Sequence, residues 1–180
     1  MGSNNLVCPG QGRIVGIDPG INTTGYAVLQ LKSGKCLLED KGFIRPPRNK
    51  PFQYRLSFLY EAFVSILKDV RPRVVVVEEI YSHIRYPYTA VLMGHARGVL
   101  FLAAEKAHCQ IETFSASRIK KAIVGRGNAS KEQVRAVLKQ IYGLPDEVDS
   151  LPLDVTDALA LATGYVFCCL RRQGEGNMIK

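Results

Sequence analysis

The sequence predicts an α/β fold, a mixed five-stranded sheet in which an antiparallel meander is followed by parallel strands, with helices on its flanks. Three observations carry this. Strand-like segments come first, joined by short glycine-containing connections. A run of four valines then requires cover on both faces, as a central parallel strand has. From there helical and strand patterns alternate.

The elements follow in order. Strands are predicted over Arg13 to Asp18, Thr24 to Gln30, where apolar residues interleave, and Cys36 to Ile44. The segment "RPPRNKP" breaks the chain, and Phe52 to Val70 carries Phe52, Leu56, Leu59, Phe63, Ile66 and Leu67 at helical spacing. The valine strand lies in "RPRVVVVEEIY", and a second helix spans Thr89 to His108. Ile111 to Phe114 reads as a short strand. Asn128, Ala129 and Ser130 supply capping residues for a helix over Lys131 to Tyr142, and a last helix covers Leu153 to Arg171.

A chain of 180 residues, 47% hydrophobic, suits one domain with a sizeable core, placed here at residues 13–172. Residues 1–12 are polar and glycine-rich and read as a flexible leader with no export signal; residues 173–180 read as a flexible tail. The longest apolar stretches, such as Ala158 to Leu170, look too short and too polar at their edges to span a bilayer. Cys8, Cys36, Cys109, Cys168 and Cys169 lack zinc-site spacing and suit reduced thiols in a cytosol. A net charge of +8 points to a polyanionic partner, with nucleic acid favoured.

Carboxylates interrupt the apolar pattern at three places. Asp18 closes the first strand, Glu78 closes the valine strand, and Asp154 and Asp157 begin the last helix. An isolated ionised carboxylate at the edge of a core costs several kcal/mol unless it is paired, capped or bound to a cation. If the two strands are neighbours, their C-terminal ends set Asp18 beside Glu78, and residues three apart on a helix share one face. Taken singly, Asp18 also suits a turn and the two helix acids suit a helix N-terminus. Four together suit hard cations, Mg²⁺ or Mn²⁺, that keep water and phosphate oxygens as further ligands.

The chain resembles the RuvC-type Holliday junction resolvases of the ribonuclease H-like superfamily. The resemblance rests on "GIDPG" and "TGYAV" within 16–28, "VVVEEIY" at 75–81, "GHARGVL" at 94–100, "IKKAIVGRGNASKEQV" at 119–134, and "DVTDALALA" at 154–162. It implies a ribonuclease H-like fold and paired symmetric nicks in a four-way DNA junction, leaving 5′-phosphate ends, in homologous recombination and repair. It also implies that Asp18, Glu78, Asp154 and Asp157 are the catalytic acids and hold two Mg²⁺ ions, with Mn²⁺ a substitute. Glu79 is the alternative second acid, since a shift of one residue is open, but alternation lets only one of the two face Asp18.

The same resemblance implies DNA contacts from Lys120 and Lys131. Lys121, Arg126 and the intervening glycines extend that basic segment, and Lys121 replaces Lys120 if the segment is rotated. Tyr81 is the candidate for stacking on a base, with Arg85, Tyr86 and Tyr88 nearby. His83, His95 and His108 read as packing or surface residues. Small residues at Gly94, Ala96, Gly98, Ala103 and Ala104 would permit close helix packing, and similar proteins form homodimers through this helix and work with a branch-migration helicase complex. Competing readings are a nuclease for RNA–DNA hybrids and a junction-binding protein without activity. A cytoplasmic location is expected.

Overall fold

The computed structural model describes residues 10–32, 35–79, 87–144 and 153–176. Strands β1 (Gly12–Asp18), β2 (Thr24–Lys32) and β3 (Lys35–Ile44) precede helix α1 (Phe52–Val70). Strand β4 (Val74–Glu78), α2 (Pro87–Lys106), β5 (Gln110–Phe114), α3 (Ala116–Val124), α4 (Lys131–Tyr142) and α5 (Leu153–Gly176) follow. The sheet is five-stranded in the order β3-β2-β1-β4-β5. The first three strands pair antiparallel, and β4 lies parallel to both β1 and β5, as the sequence predicts.

Side-chain alternation gives the sheet two apolar faces with different cover. Ile14, Val74, Val76 and Phe114 face α5 and pack against Ala158, Ala162 and Tyr165. Val15, Ile17, Val75 and Val77 face the other way, with Leu59 and Phe63 of α1 and Ala96 and Leu100 of α2. All four valines are at most 1% exposed, so the run is buried on both sides. Full burial of a side chain of this size contributes ~1.5–3 kcal/mol.

Helix α3 has no counterpart among the predicted elements. It is nine residues long, and its apolar positions Ile119, Ala122 and Ile123 alternate with lysines that make the segment read as a basic loop. Its ends are well specified nonetheless. The Ser115 side chain accepts the Arg118 N–H, and Gly125 closes the helix at φ 87°. Helix α4 has a complete capping box, Ser130 with Gln133, confirming the cap expected at Ser130.

Two expectations need correction. Helix α2 begins at Pro87 and ends at Lys106, because the chain turns at His108 with φ 55°. Its small residues divide: Ala96, Ala103 and Ala104 are buried under the chain's own core, whereas a Cβ on Gly94 or Gly98 would meet nothing within 4 Å. Helix α5 is longer and more apolar than expected, since Leu153–Arg171 is long and apolar enough to cross a membrane by length and composition. That window is 67% buried within the fold, which is the environment of a core helix.

Helix α5 lies unusually close to the sheet. A Cβ on Gly16 would overlap Ala158 O and stand 2.8 Å from Ala162 N, and one on Gly25 would overlap Asp154 O and stand 2.6 Å from Val155 N. Backbone touches backbone at both points, so no side chain fits. Gly16→Ala should therefore lower the free energy of unfolding by about 1–3 kcal/mol, because the helix must lift from β1. Thermal and urea unfolding measure this; an unchanged midpoint would mean that α5 has room to move.

Candidate active site

Strand alternation brings the first two acids together. Asp18 follows Ile14 and Gly16 on the α5 side of β1, and Glu78 follows Val74 and Val76 on the same side of β4. Ile17 and Val77 are register partners in the parallel pair, so the next residue of β1 and of β4 are neighbours at the strand ends. Glu79 points away: its charge acts on Arg97 of α2, and its N–H donates to Phe114 O at 2.9 Å. Geometry thus sets Glu78, not Glu79, beside Asp18.

Helix α5 supplies the other two acids. Its first turn sits on Gly25 of β2, which holds Asp154 over the sheet, and Asp157 lies one turn further on. The four carboxylates act on one another. Asp18 is pushed up to about 8, first by desolvation and then by Asp157, Glu78 and Asp154, against the opposing pull of Lys131. Glu78 is raised by burial and by Asp157, and Asp154 likewise by burial and by Asp157.

Lys131, the first residue of α4, donates from Nζ to Asp157 Oδ2. Burial opposes its charge, but the hydrogen bond and the charges of Asp157, Asp18 and Glu78 outweigh that and raise its pKa. Lys120 of α3 lines the same pocket as Glu78, Lys131 and Asp157, and its charge acts on Glu78. Lys121 is exposed on the next face of α3, and Arg126 is exposed beyond its end. The structure thus brings Lys120 and Lys131 to the acids and leaves Lys121 and Arg126 outside them. Tyr81, Arg85, His83 and Tyr86 lie outside the described residues. Tyr88 is 75% exposed at the start of α2.

His95 and His108 have local roles. The His95 ring packs edge-on to Phe52 at 5.4 Å and shares a hydrogen bond with Val91 O, and His108 makes the turn after α2. Cys36, Cys109, Cys168 and Cys169 form no disulfide, and Cys8 lies outside the described residues. One neighbour of the acids escaped sequence reasoning. Arg45, just past β3, acts on Asp154 and lies over the Phe43 ring at 4.5 Å. The only signal for it was the basic composition of "RPPRNKP".

Among the described residues, no three Asp, Glu, His or Cys side chains already converge closely enough to hold a metal ion. The set still fits hard cations. Its donors are all carboxylate oxygens, Asp18 is pushed up by burial and then by the neighbouring carboxylates, and the Lys131 ammonium stands against Asp157 where a positive charge is favoured. An open, all-oxygen site leaves positions for water and phosphate oxygens.

A sheet of this order with carboxylates at the ends of its two central strands and on the crossing helix defines a ribonuclease H-like protein of the nuclease class. Residues 14–165 match the family described as Crossover junction endodeoxyribonuclease RuvC, and the chain belongs to that family. It is 36% identical over 149 residues to the crossover junction endodeoxyribonuclease RuvC of Rhodopirellula baltica, covering 83% of each chain. Among solved structures it is similar to the Thermus thermophilus RuvC in complex with Holliday junction substrate, with a TM-score of 0.81 and 29% identity over 91% of this chain and 96% of that one. The yeast mitochondrial Holliday junction resolvase Ydc2 shares the fold, with a TM-score of 0.72 at 14% identity over 97% of this chain and 87% of that one.

The raised acids make a prediction about pH. A carboxylate whose folded pKa exceeds its unfolded value holds a proton in the folded state that the unfolded chain has lost, so stability falls as pH rises between the two values. For Asp18 that window runs from about 4 up to about 8. In chelator, the melting temperature should fall across it, and Asp18→Asn should flatten the fall. A divalent cation should restore stability most at the alkaline end. Calorimetry across pH checks this, and a melting temperature that rises with pH equally in both proteins would overturn it.

Proposed function

We propose that this protein is a structure-selective endonuclease that resolves four-way DNA junctions by paired symmetric nicks, through hydrolysis of a phosphodiester at the Asp18, Glu78, Asp154 and Asp157 cluster. The observation that carries this reading is the four-acid cluster flanked by Lys120 and Lys131, in a chain of net charge +8 that belongs to the family. Family membership and the likeness to a resolvase bound to its junction favour junction DNA over an RNA–DNA hybrid. Retention of all four acids favours an active enzyme over a binding protein.

Asp18, Glu78, Asp154 and Asp157 would hold two Mg²⁺ ions, with Mn²⁺ as substitute. When bound, such ions lower the pKa of an attacking water and stabilise the leaving 3′ oxygen. The chain's own residues do the rest. Asp18, fixed at the end of β1, and Asp157, fixed on α5, set where the phosphate must lie. Lys131 can leave Asp157 for a phosphate oxygen without losing an anionic partner, and Lys120 provides a second cation beside Glu78. No protein nucleophile is required, and the products carry 5′-phosphates.

Symmetry supports a homodimer. An open apolar groove formed by Leu56, Val91, Gly94, Gly98, Val99 and Leu102 runs along α2, with Val91 55% and Leu102 51% exposed. A two-fold pair of chains docked there would present one acid cluster to each of two equivalent strands. Work beside a branch-migration helicase complex, in the cytoplasm, belongs to the same proposal, since junction DNA is the substrate.

Two measurements test it. Asp18→Asn should reduce Mg²⁺-dependent nicking of a mobile junction by roughly 100-fold or more, by removal of a metal-binding charge. Junction binding should survive or tighten, because repulsion of phosphate falls. Undiminished cleavage would falsify the metal-site reading. Gly98→Phe should shift the protein toward monomer in sedimentation and leave only slow single nicks. Wild-type dimerisation and paired cutting by that variant would assign the interface elsewhere.

A further inference from the structure

The acids and their cations lie in a row across the sheet. Lys120 stands by Glu78 on β4, Asp18 comes next on β1, Asp154 lies over Gly25 of β2, and Arg45 follows β3 at the sheet's edge. Phe43 is the register partner of Gly25 and therefore shares its α5-side face. Arg45, two residues on, projects to that same side, where its charge reaches Asp154.

Arg45 is exposed, and its guanidinium lies over the ring of Phe43, which is itself 42% exposed. An exposed arginine is normally free to roam; this one is held by an aromatic face at the rim of the site. Arg48 and Lys50 follow in the same exposed turn, and Lys50 lies over the Tyr54 ring at 5.7 Å. Two of the three cations on this edge thus lie over aromatic rings. Arg45, Arg48 and Lys50 lie outside the strands and outside both core clusters.

We infer that Arg45, oriented by Phe43, is a third phosphate-contact residue, gripping the DNA strand on the far side of the acid cluster from Lys120 and Lys131. The inference rests on the reading of the acid cluster as a nuclease site. Four carboxylates repel a polyanion, so a strand drawn across them needs cations at both ends of its path. Three inter-strand steps separate β4 from β3, roughly 14 Å, which is about four base steps along one DNA strand. Lys120 and Lys131 cover one end of that path, and Arg45 covers the other. Phe43 is a positioning residue for Arg45.

Binding to a four-way junction, measured in the Asp18→Asn background across a salt series, tests the contact apart from cleavage. Arg45→Ala should weaken binding about tenfold at moderate salt and make the salt slope shallower by about one unit. Arg45→Lys should keep the slope, because the charge remains. Phe43→Leu should weaken binding by a smaller factor with the slope unchanged, and Phe43→Tyr should restore it. Phosphate-ethylation interference should lose one sensitive position in Arg45→Ala, different from the one lost in Lys131→Ala. Junction binding with an unchanged slope and interference pattern would overturn the contact alone and leave Arg45 as a counter-ion for Asp154. Failure of the Asp18→Asn parent to bind junctions at all would overturn the nuclease reading, and this contact with it.

Discussion

Gly16 and Gly25 leave the α5 backbone to lie directly on β1 and β2, with Ala158 O and Asp154 O standing where side chains would be. The site depends on this contact. Asp18 belongs to the sheet and Asp154 and Asp157 to the helix, so the distance between the acids is the distance between two elements, not a property of either. An ordinary side chain at Gly25 would push the first turn of α5 outward. A second close approach lies further along the helix, where a Cβ on Gly164 would stand 2.7 Å from Ile119 Cδ1, so α3 and its Lys120 are set by α5 as well.

Electrostatics makes the close approach costly. Desolvation is the first cause of the rise at Asp18, ahead of its acidic neighbours, so packing and charge oppose one another at the same residue. Lys131 relieves part of the conflict, and it is well placed to do so because the Ser130 and Gln133 capping box fixes the start of α4. Burial of the apolar core offsets the rest. Thr24 contributes locally, its hydroxyl donating to Gly20 O at 2.6 Å and accepting from Gly20 N at 3.1 Å, which fixes the turn that follows Asp18.

Much of this was legible in the sequence. The four-valine run could only be a central strand, and the acids at its end and at the end of β1 pointed to one place once those strands were neighbours. Alternation allowed only one of Glu78 and Glu79 to face Asp18, and the family resemblance, not the strand pattern, selected Glu78. What could not be read was contact between elements distant in sequence. Nothing local shows that Gly25 lies under Asp154, or that Arg45 reaches it across the sheet edge. Helix α3 was hidden because its apolar face is three residues wide and its remaining surface is basic, so a packed helix and a solvated loop carry the same composition. The small residues of α2 looked alike in sequence yet serve two surfaces, alanines inward and glycines outward.

The two faces of the sheet consequently do different work. Asp18 and Glu78 are in phase with Ile14, Gly16, Val74 and Val76, the residues that meet α5. Val15, Ile17, Val75 and Val77 are in the opposite phase and support α1 and α2, whose outer surface carries the apolar groove. A one-residue slip of β4 would exchange the phases and bring Glu79 to Asp18, but it would also turn every valine contact to the wrong layer. Because all four valines are buried, the apolar core fixes the register, and the register fixes which glutamate faces the site. The chemistry of this protein is thus specified by residues that take no part in it.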